Sequence, residues 1–368
     1  MKSVRIAPTD VWLFRDGKPF NADSDHRARS MFPPLPTVTQ GVLRGHYLAD
    51  QKVALDRKNK TEIEKTVGTA TDFLDLRLRG PFVRRGSQLF FPMPADVVKG
   101  SDENFHPLSV FSKAPGDGSF SHPNGAPYAL IPDPKNDKLK DPQKIEEDWV
   151  SQDQLELYLK GNSFKGSTSS GLYSRELRPG NAIDSDKQTT IEGRLYQVEF
   201  IRLHQDVCLQ VDVMAGLKAW KRTNGLMRIG GEGHAASFTV SNPSQPDVPL
   251  PVIGSAKRFK MVLLTPTFFA EGWIPKDWNA YFTGGTVELK AAAIKKYISV
   301  GGFDLMANNH KPSLRYVDAG SVYYFEVTSG APEFRSDEAW LCDVAPNGAP
   351  LGHIGFGQVR VGNWNLAN

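Results

Sequence analysis

The sequence predicts an α+β protein with two related halves, each of which closes with a glycine-rich loop that leads into a strand. The first loop follows the apolar residues 226–229 and carries three glycines, Gly230, Gly231 and Gly233. The second precedes the strand-like residues 358–361 and also carries three, Gly352, Gly355 and Gly357. Glycine can adopt a positive φ and leaves backbone N–H groups bare, so both loops can approach another chain closely. The repetition indicates two related domains.

The first strand and the first helix follow from local patterns. Residues 4–14 alternate loosely between apolar and polar side chains and predict a strand. Thr37 follows a run of prolines and is a good N-cap for a helix that reaches about Asp50. Within that helix Gly41 costs about 1 kcal/mol relative to alanine. We therefore expect the sheet or a ligand to approach the helix closely at Gly41.

The remainder of the first half completes a βαββαβ order. Residues from about 51 to 190 are rich in proline, glycine and short charged tracts, which predicts a large, solvated insertion. Residues 195–203 and 207–213 flank a short polar turn and predict an antiparallel hairpin. Residues 216–222 can supply a helical turn before the glycine loop. This order is ferredoxin-like and predicts a first domain over residues 1–250.

The second half repeats the pattern more loosely over residues 256–368. A proline-rich linker precedes it, and three further strand-like runs come before the final strand. Between two of these runs lies a polar loop that carries Lys311 and Arg315. The predicted fold class is therefore α+β, with two ferredoxin-like domains, a large insertion in the first, and a glycine-rich loop before the last strand of each.

Composition and charge limit the classes of function. The 368 residues suit two domains of average size. No apolar run is long enough for a membrane span or a signal peptide, so we expect a cytoplasmic protein. The eight histidines and two cysteines show no zinc-binding spacing, and we expect neither a metal nor a cofactor. A net charge of +3, with locally clustered basic residues, permits a nucleic-acid partner.

Metal-free cleavage of RNA is the enzymatic alternative. A histidine could take the 2′-hydroxyl proton of a ribose while a cation steadies the phosphate, and the candidates are His26, His234 and His353. No pair of histidines is evident in the sequence. Binding without catalysis needs less, because a ferredoxin-like sheet can stack bases while loops and basic side chains hold phosphates.

Six segments spread along the chain resemble a known family. They are FRDGKPF after the first strand, FPPLPTVTQGVLRG at the first helix, EGRLYQVEFIRL, IGGEGHAASF, GFDL…KPSLRYVDAGSVYYFEV and the terminal GHIGFGQV. Together they resemble the RAMP-superfamily third subunits of type III-B CRISPR Cmr complexes, with the insertion the least similar part. The resemblance implies two RRM-like domains packed face to face and a non-catalytic role in gripping the 5′ repeat-derived handle of the CRISPR RNA (crRNA).

The resemblance also implies partners and contact residues. The protein neighbours would be the large cyclase/polymerase-like subunit and the backbone subunit that lines the guide, with target RNA reached only indirectly and no membrane involved. The residues expected to contact RNA are Arg15, Lys18, His26, Arg27, Arg29, Gly41, Arg44, Arg178, Arg228, Gly230, Gly231, Gly233, His234, Lys311, Arg315, Gly352, Gly355 and Gly357. His234 stands where related loops often carry arginine, so the charge at this position would depend on pH.

We therefore expect an RNA-binding, architectural subunit without catalytic residues. Two alternatives remain at this stage. One is a metal-independent endoribonuclease that processes CRISPR precursor RNA. The other is a protein–protein adaptor whose glycine loops dock against neighbouring subunits without direct RNA contact.

Overall fold

The structure, a computed structural model, describes residues 1–15, 27–112, 126–183, 189–336 and 339–367. Its helices are α1 (Pro36–Asp50), α2 (Lys60–Val67) and α3 (Gln152–Leu159). The first eleven strands are β1 (Lys2–Pro8), β2 (Arg27–Ala28), β3 (Arg77–Arg85), β4 (Gln88–Pro92), β5 (Val97–Lys99), β6 (Phe105–Pro107), β7 (Ser109–Phe111), β8 (Ala129–Ile131), β9 (Trp149–Ser151), β10 (Tyr173–Ile183) and β11 (Thr190–Leu203). The remaining strands are β12 (Val207–Ala215), β13 (Asn224–Arg228), β14 (Ala235–Ser241), β15 (Arg258–Leu263), β16 (Phe282–Ala293), β17 (Tyr297–Val300), β18 (Phe303–Asp304), β19 (Asn309–His310), β20 (Leu314–Val317), β21 (Val322–Phe334) and β22 (Val359–Asn363). The protein thus mixes helices and strands, and strand predominates.

The chain forms two compact units, each assembled from three separate segments. The first unit comprises Met1–Gly86, Ser170–Ser244 and Ser299–Arg315. The second comprises Ser87–Ser169, Gln245–Ile298 and Tyr316–Asn368. The segment 87–169, which we expected within an insertion of the first domain, is thus part of the second unit. Conversely, the polar loop with Lys311 and Arg315, expected in the second domain, completes the first.

Five antiparallel strands of the first unit lie side by side in the order β13-β14-β1-β12-β3. The first strand ends at Pro8, earlier than predicted, and Trp12 and Arg15 form only isolated bridges beyond it. β12 lies between β1 and β3, so both of its edges are paired, and its polar residues Gln210 and Asp212 are buried. Residues 216–222, for which we predicted a helical turn, form no helix. The chain follows bends and non-helical turns there.

The predicted hairpin of residues 195–203 and 207–213 is wrong. β11 pairs antiparallel with β10 and parallel with β2 in a separate three-stranded sheet, whereas β12 joins β1 and β3. The alternating pattern identified both strands, but a period of two does not specify which neighbour a strand takes. The true partner, β10, lies in a polar segment that we had assigned to the insertion.

The first helix, α1, begins at Pro36, before the predicted N-cap Thr37. A proline is favourable at this first position because its missing N–H would have had no partner there. The buried side chains of the helix are Pro36, Thr39, Gln40, Leu43, His46 and Leu48. Gly41 lies on the exposed side, and a Cβ there would meet no described atom within 4 Å. The close approach expected at Gly41 is therefore not made by the described residues.

The second unit contains a four-stranded sheet in the order β16-β21-β15-β22. Its core is aromatic, with Tyr323 and Phe325 packed against Trp278 and Phe259 stacked on Phe325. Beside this core lies a fully buried polar network that binds the segment 87–169 to the sheet. The network consists of Asp96, Tyr158, Lys260 and Tyr324.

In this network both tyrosine hydroxyls donate to the carboxylate of Asp96. The Nζ of Lys260 lies 3.4 Å from Oδ2 of Asp96 and 3.5 Å from the ring centroid of Tyr158. Burial raises the pKa of Tyr158 and Tyr324 well above the usual value and lowers that of Lys260. Because removing one partner would leave a buried charge uncompensated, the network holds α3 firmly against β15 and β21.

Candidate nucleic-acid interface

The first glycine loop forms a tight turn against the segment that follows β1. Gly230 and Gly233 have φ values of 77° and 65°, and Glu232 between them also has a positive φ of 59°. The N–H of Gly231 donates to the carbonyl oxygen of Leu13 at 2.8 Å, and a Cβ on Gly230 would lie only 2.5 Å from the same oxygen. The close approach that these glycines permit is thus made by the protein's own backbone.

His234 follows this turn and packs against Phe200. The two rings meet edge to face, with centroids 5.5 Å apart. The Nε2 atom of His234 is buried and lies 3.5 Å from Oε2 of Glu232, but it has no hydrogen-bond partner among the described residues. Packing therefore holds the imidazole in place, while its Nε2 makes no hydrogen bond within the described part of the chain.

A cluster of four charged side chains, which we call the arginine–carboxylate square, lies beside Phe200. It consists of Asp10, Glu176, Arg178 and Arg202. Arg178 donates to Glu176 at 2.7 Å and to Asp10 at 3.4 Å. Arg202 donates to the same two carboxylates at 2.7 and 2.9 Å. The guanidinium carbon of Arg178 is 4.9 Å from the ring centroid of Phe200, so the square adjoins the glycine loop through Phe200 and His234.

The charges of the square balance one another. Hydrogen bonds from Arg202 first, and from Arg178 second, hold the pKa of Asp10 and of Glu176 below their usual ranges. Both carboxylates are therefore ionised at neutral pH. All four side chains are between 33% and 54% exposed, so the square is open to solvent and to solutes.

The predicted basic residues near the N-terminus are described only in part. Lys18 and His26 lie outside the described residues, and of Arg27 only the strand pairing with Gln197 is described. Arg15 is exposed and forms an isolated bridge with Ser30.

Two further predicted arginines of the first unit are exposed. Arg228 ends β13, directly before the glycine turn, and Arg29 follows β2. Neither makes an ion pair within the part of the chain that the structure describes. Both are therefore available to a polyanion.

Arg44 binds the protein's own backbone. Its guanidinium donates to the carbonyl oxygens of Gly68 and Thr69, at 2.6 and 3.1 Å, at the C-terminal end of α2. A cation at this end of a helix is stabilised by the unpaired carbonyls. Burial lowers the pKa of Arg44, against the opposing influence of Asp304. This geometry favours a helix-capping role over the predicted contact with RNA.

Lys311 and Arg315 belong to the same unit as Arg44. Lys311 is half-buried, and burial lowers its pKa while Asp304 raises it and Arg44 lowers it further. Asp304 thus favours the charged form of both Arg44 and Lys311, although these two residues stand far apart in the sequence. Arg315 is exposed.

The C-terminal glycine loop belongs to the second unit, and its three glycines are buried. A Cβ on Gly352 would lie 2.3 Å from the ring of Trp340, and one on Gly357 would lie 2.1 Å from the carbonyl oxygen of Leu341. Gly355 has a φ of 108° and ends a short 3₁₀ turn. Packing accounts for Gly352 and Gly357 and a positive φ for Gly355, and the burial of all three disfavours the predicted contact with RNA.

The sequence did not indicate Asp10, Glu176, Phe200 and Arg202 as members of a site. Residues two apart on a strand share a face of the sheet. Glu176 and Arg178 on β10, and Phe200 and Arg202 on β11, therefore could have indicated this cluster. It was missed because the residues of β10 were assigned to the large insertion. Among the described residues, no three His, Cys, Asp or Glu side chains are grouped so as to hold a metal ion. No helix of the described part is long and apolar enough to cross a bilayer.

Comparison with known proteins identifies one matching family. The sequence profile of the family described as CRISPR-associated protein (Cas_Cmr3) matches residues 4–364. No curated protein matches the sequence.

Solved structures offer distant likenesses. A chain in the cryo-EM structure of the type III-B Cmr-beta bound to cognate target RNA and AMPPnP, state 1, is similar with a TM-score of 0.50 and 16% identity, over 88% of this chain and 86% of that chain. A chain in the structure of the type III-B Cmr-beta bound to cognate target RNA gives a TM-score of 0.48 and 17% identity over the same shares. A chain of the Csm3-Csm4 subcomplex in the type III-A CRISPR-Cas interference complex gives 0.37 and 16%, over 91% and 98%. At such identities the first likeness concerns the fold alone.

Proposed function

The chain belongs to the Cas_Cmr3 family of CRISPR-associated proteins, and from that premise we propose that it is a non-catalytic, RNA-binding subunit of a type III-B effector complex. It holds the 5′ repeat-derived handle of crRNA, next to the large cyclase/polymerase-like subunit and the guide-lining backbone subunit. The observation that carries this proposal is the pair of arginines around the first glycine turn, with exposed Arg228 directly before the turn and half-buried Arg178 over Phe200.

Strand order supports a ferredoxin-like origin for both units. The four strands of a ferredoxin-like βαββαβ unit lie side by side in the order fourth, first, third, second. In the first unit this order is β14-β1-β12-β3. In the second unit β22, β15, β21 and β16 repeat the same arrangement. α1 occupies the place of the first helix in the first unit. Sheets of this kind are used widely to bind single-stranded RNA, which agrees with the proposed role.

Substitution of Arg228 tests the proposal directly. We expect Arg228→Ala to weaken binding of the full chain to a single-stranded RNA with the handle sequence by about threefold to tenfold. The slope of log affinity against log salt should fall by about 0.7, the value for one lost phosphate contact on a single strand. Filter binding or fluorescence anisotropy at several salt concentrations measures both quantities. Arg57→Ala, at an exposed arginine before α2, is the matched control and should change neither.

Other outcomes would favour the alternatives. Unchanged affinity and unchanged ultraviolet crosslinking of the handle to Arg228→Ala would argue for a protein–protein adaptor, or for RNA bound elsewhere. Incubation of labelled repeat RNA with a chelator tests for the endoribonuclease. Specific, chelator-resistant cleavage that disappears in His234→Ala would contradict the non-catalytic assignment.

A further inference from the structure

We propose that Arg178 and Arg202 form a seat for one phosphodiester group, and that Asp10 occupies this seat while no RNA is bound. The inference rests on the proposed function, because it takes RNA as the ligand. It adds a competitor within the protein itself, so that RNA must displace a carboxylate before the two arginines can bind it.

The hydrogen bonds of Asp10 carry the inference. Its Oδ1 accepts from Arg202 at 2.9 Å, and its Oδ2 accepts from Arg178 at 3.4 Å. One carboxylate thus bridges two guanidinium groups through its two oxygens. The two non-bridging oxygens of a phosphodiester can make the same bridge, since guanidinium groups recognise carboxylates and phosphates through similar hydrogen-bond geometry.

Of the two carboxylates in the square, Asp10 is the one that can leave. Its side chain is 54% exposed, against 33% for Glu176. Asp10 lies in a bend after β1, whereas Glu176 lies within β10. The hydrogen bond between Asp10 and Arg178 is also longer, at 3.4 Å, than the 2.7 Å bond between Glu176 and Arg178. Exposed ion pairs contribute little to stability, so displacement of Asp10 costs little.

Glu176 and Phe200 keep the seat ordered after Asp10 leaves. Glu176 still accepts from the Nε of both arginines, at 2.7 Å each, and Arg178 still lies over the ring of Phe200. The two guanidinium groups therefore need little reordering before they bind a phosphate, which reduces the entropic cost of binding. Phe200 also contacts His234, so the seat is next to the first glycine turn.

The isosteric substitution Asp10→Asn removes the competing charge and tests the proposal. We expect the full chain with Asp10→Asn to bind handle RNA about threefold to tenfold more tightly than the wild type at low salt, with a salt slope steeper by about 0.7. Adding Arg178→Ala or Arg202→Ala to this variant should abolish the gain. Asp206→Asn is the control, because Asp206 forms a similar exposed pair with Arg85, at 2.8 Å and with exposures of 53% and 46%.

The possible results separate the seat from the proposed function. If Asp10→Asn and Asp206→Asn change the affinity equally, the seat is overturned, while binding that depends on Arg228 would leave the function intact. If no variant binds RNA, the function fails and the seat with it. Melting temperatures show whether each variant is folded. If Asp10→Asn proves unfolded, Asp10→Ser also removes the charge, and the same gain in affinity is expected.

Discussion

At the scale of single residues, two glycines of the first unit should respond to alanine in opposite directions. Gly230 has a φ of 77° and a ψ of −170°, a conformation almost restricted to glycine, and a Cβ would lie 2.5 Å from the carbonyl oxygen of Leu13. Gly41 is helical and exposed, and a Cβ built on it would have no described atom within 4 Å.

We expect Gly230→Ala to lower the free energy of unfolding by about 1–3 kcal/mol through backbone strain, and Gly41→Ala to raise it by about 0.5–1 kcal/mol through the helix. Urea denaturation of the full chain at neutral pH measures both changes, and each variant serves as the control for the other. Equal effects at the two positions would show that the turn at Gly230 tolerates a side chain.

Arg44 shows why the role of a lone cation is hard to predict from sequence. The resemblance implied a phosphate or base contact for Arg44, and that contact stays a prediction. The actual acceptors of Arg44, the carbonyls of Gly68 and Thr69, lie 24 and 25 residues further along the chain. They matter only because α2 ends there, and a local pattern at Arg44 contains no information about the end of another helix.

At the scale of elements, the glycine turn was predicted and the strand partners were not. The turn at Gly230 depends on φ values of neighbouring residues, which the sequence specifies locally. The pairing of β11 with β10 depends on strands that could equally have joined other neighbours. The square of Asp10, Glu176, Arg178 and Arg202 follows from that pairing and from the position of β1. It could not be predicted before both were known.

The buried network of the second unit allows a sharp test of how α3 is held. The hydroxyl of Tyr158 donates to Asp96 at 2.7 and 2.8 Å within the core. Tyr158→Phe leaves the buried carboxylate short of a donor, so we expect a loss of about 1–3 kcal/mol in the free energy of unfolding.

Tyr316→Phe is the matched control, because Tyr316 is buried in the same unit and its hydroxyl makes no hydrogen bond with the described residues. It should change stability by less than about 0.5 kcal/mol. Urea denaturation compares the two variants with the wild type. If both lose the same amount, the loss reflects a missing oxygen atom in the core rather than the bond to Asp96.

At the scale of the whole molecule, alkaline pH should destabilise the fold. Burial raises the pKa of Cys342 to about 12 from 9.0, and it raises the pKa of Tyr158, Tyr323 and Tyr324 well above 10.0. Above pH 9 the unfolded chain releases protons that the folded protein keeps. The stability that these groups provide is therefore complete below pH 9 and is lost as pH rises toward 12, by about 1.4 kcal/mol per pH unit for each proton.

Thermal melts between pH 8 and pH 11 measure this loss. We expect the melting temperature to fall steadily above pH 9, and to fall less between pH 9 and pH 10 in Cys342→Ala than in the wild type. A melting temperature that does not change over this range would contradict the burial of these groups.

The chain forms two compact units, but the sequence did not predict which segments each unit contains. Repetition of the glycine-loop pattern led us to expect two related halves, and their relationship stays a prediction. The segment 87–169 was assigned by its position along the chain, whereas Asp96 and Tyr158 place it with β15 and β21. Contacts between residues so distant in sequence leave no periodic pattern in either partner.

The composition of each unit from three segments affects how the chain can fold during synthesis. The first unit lacks Ser299–Arg315, including Met306 against Leu48 and Ile63, until most of the polypeptide has been made. The second lacks β21 and β22 until still later. Domains usually fold in turn as they leave the ribosome, but here both must wait with unfinished apolar surfaces. Nascent chains of this protein should therefore depend on chaperones until translation ends.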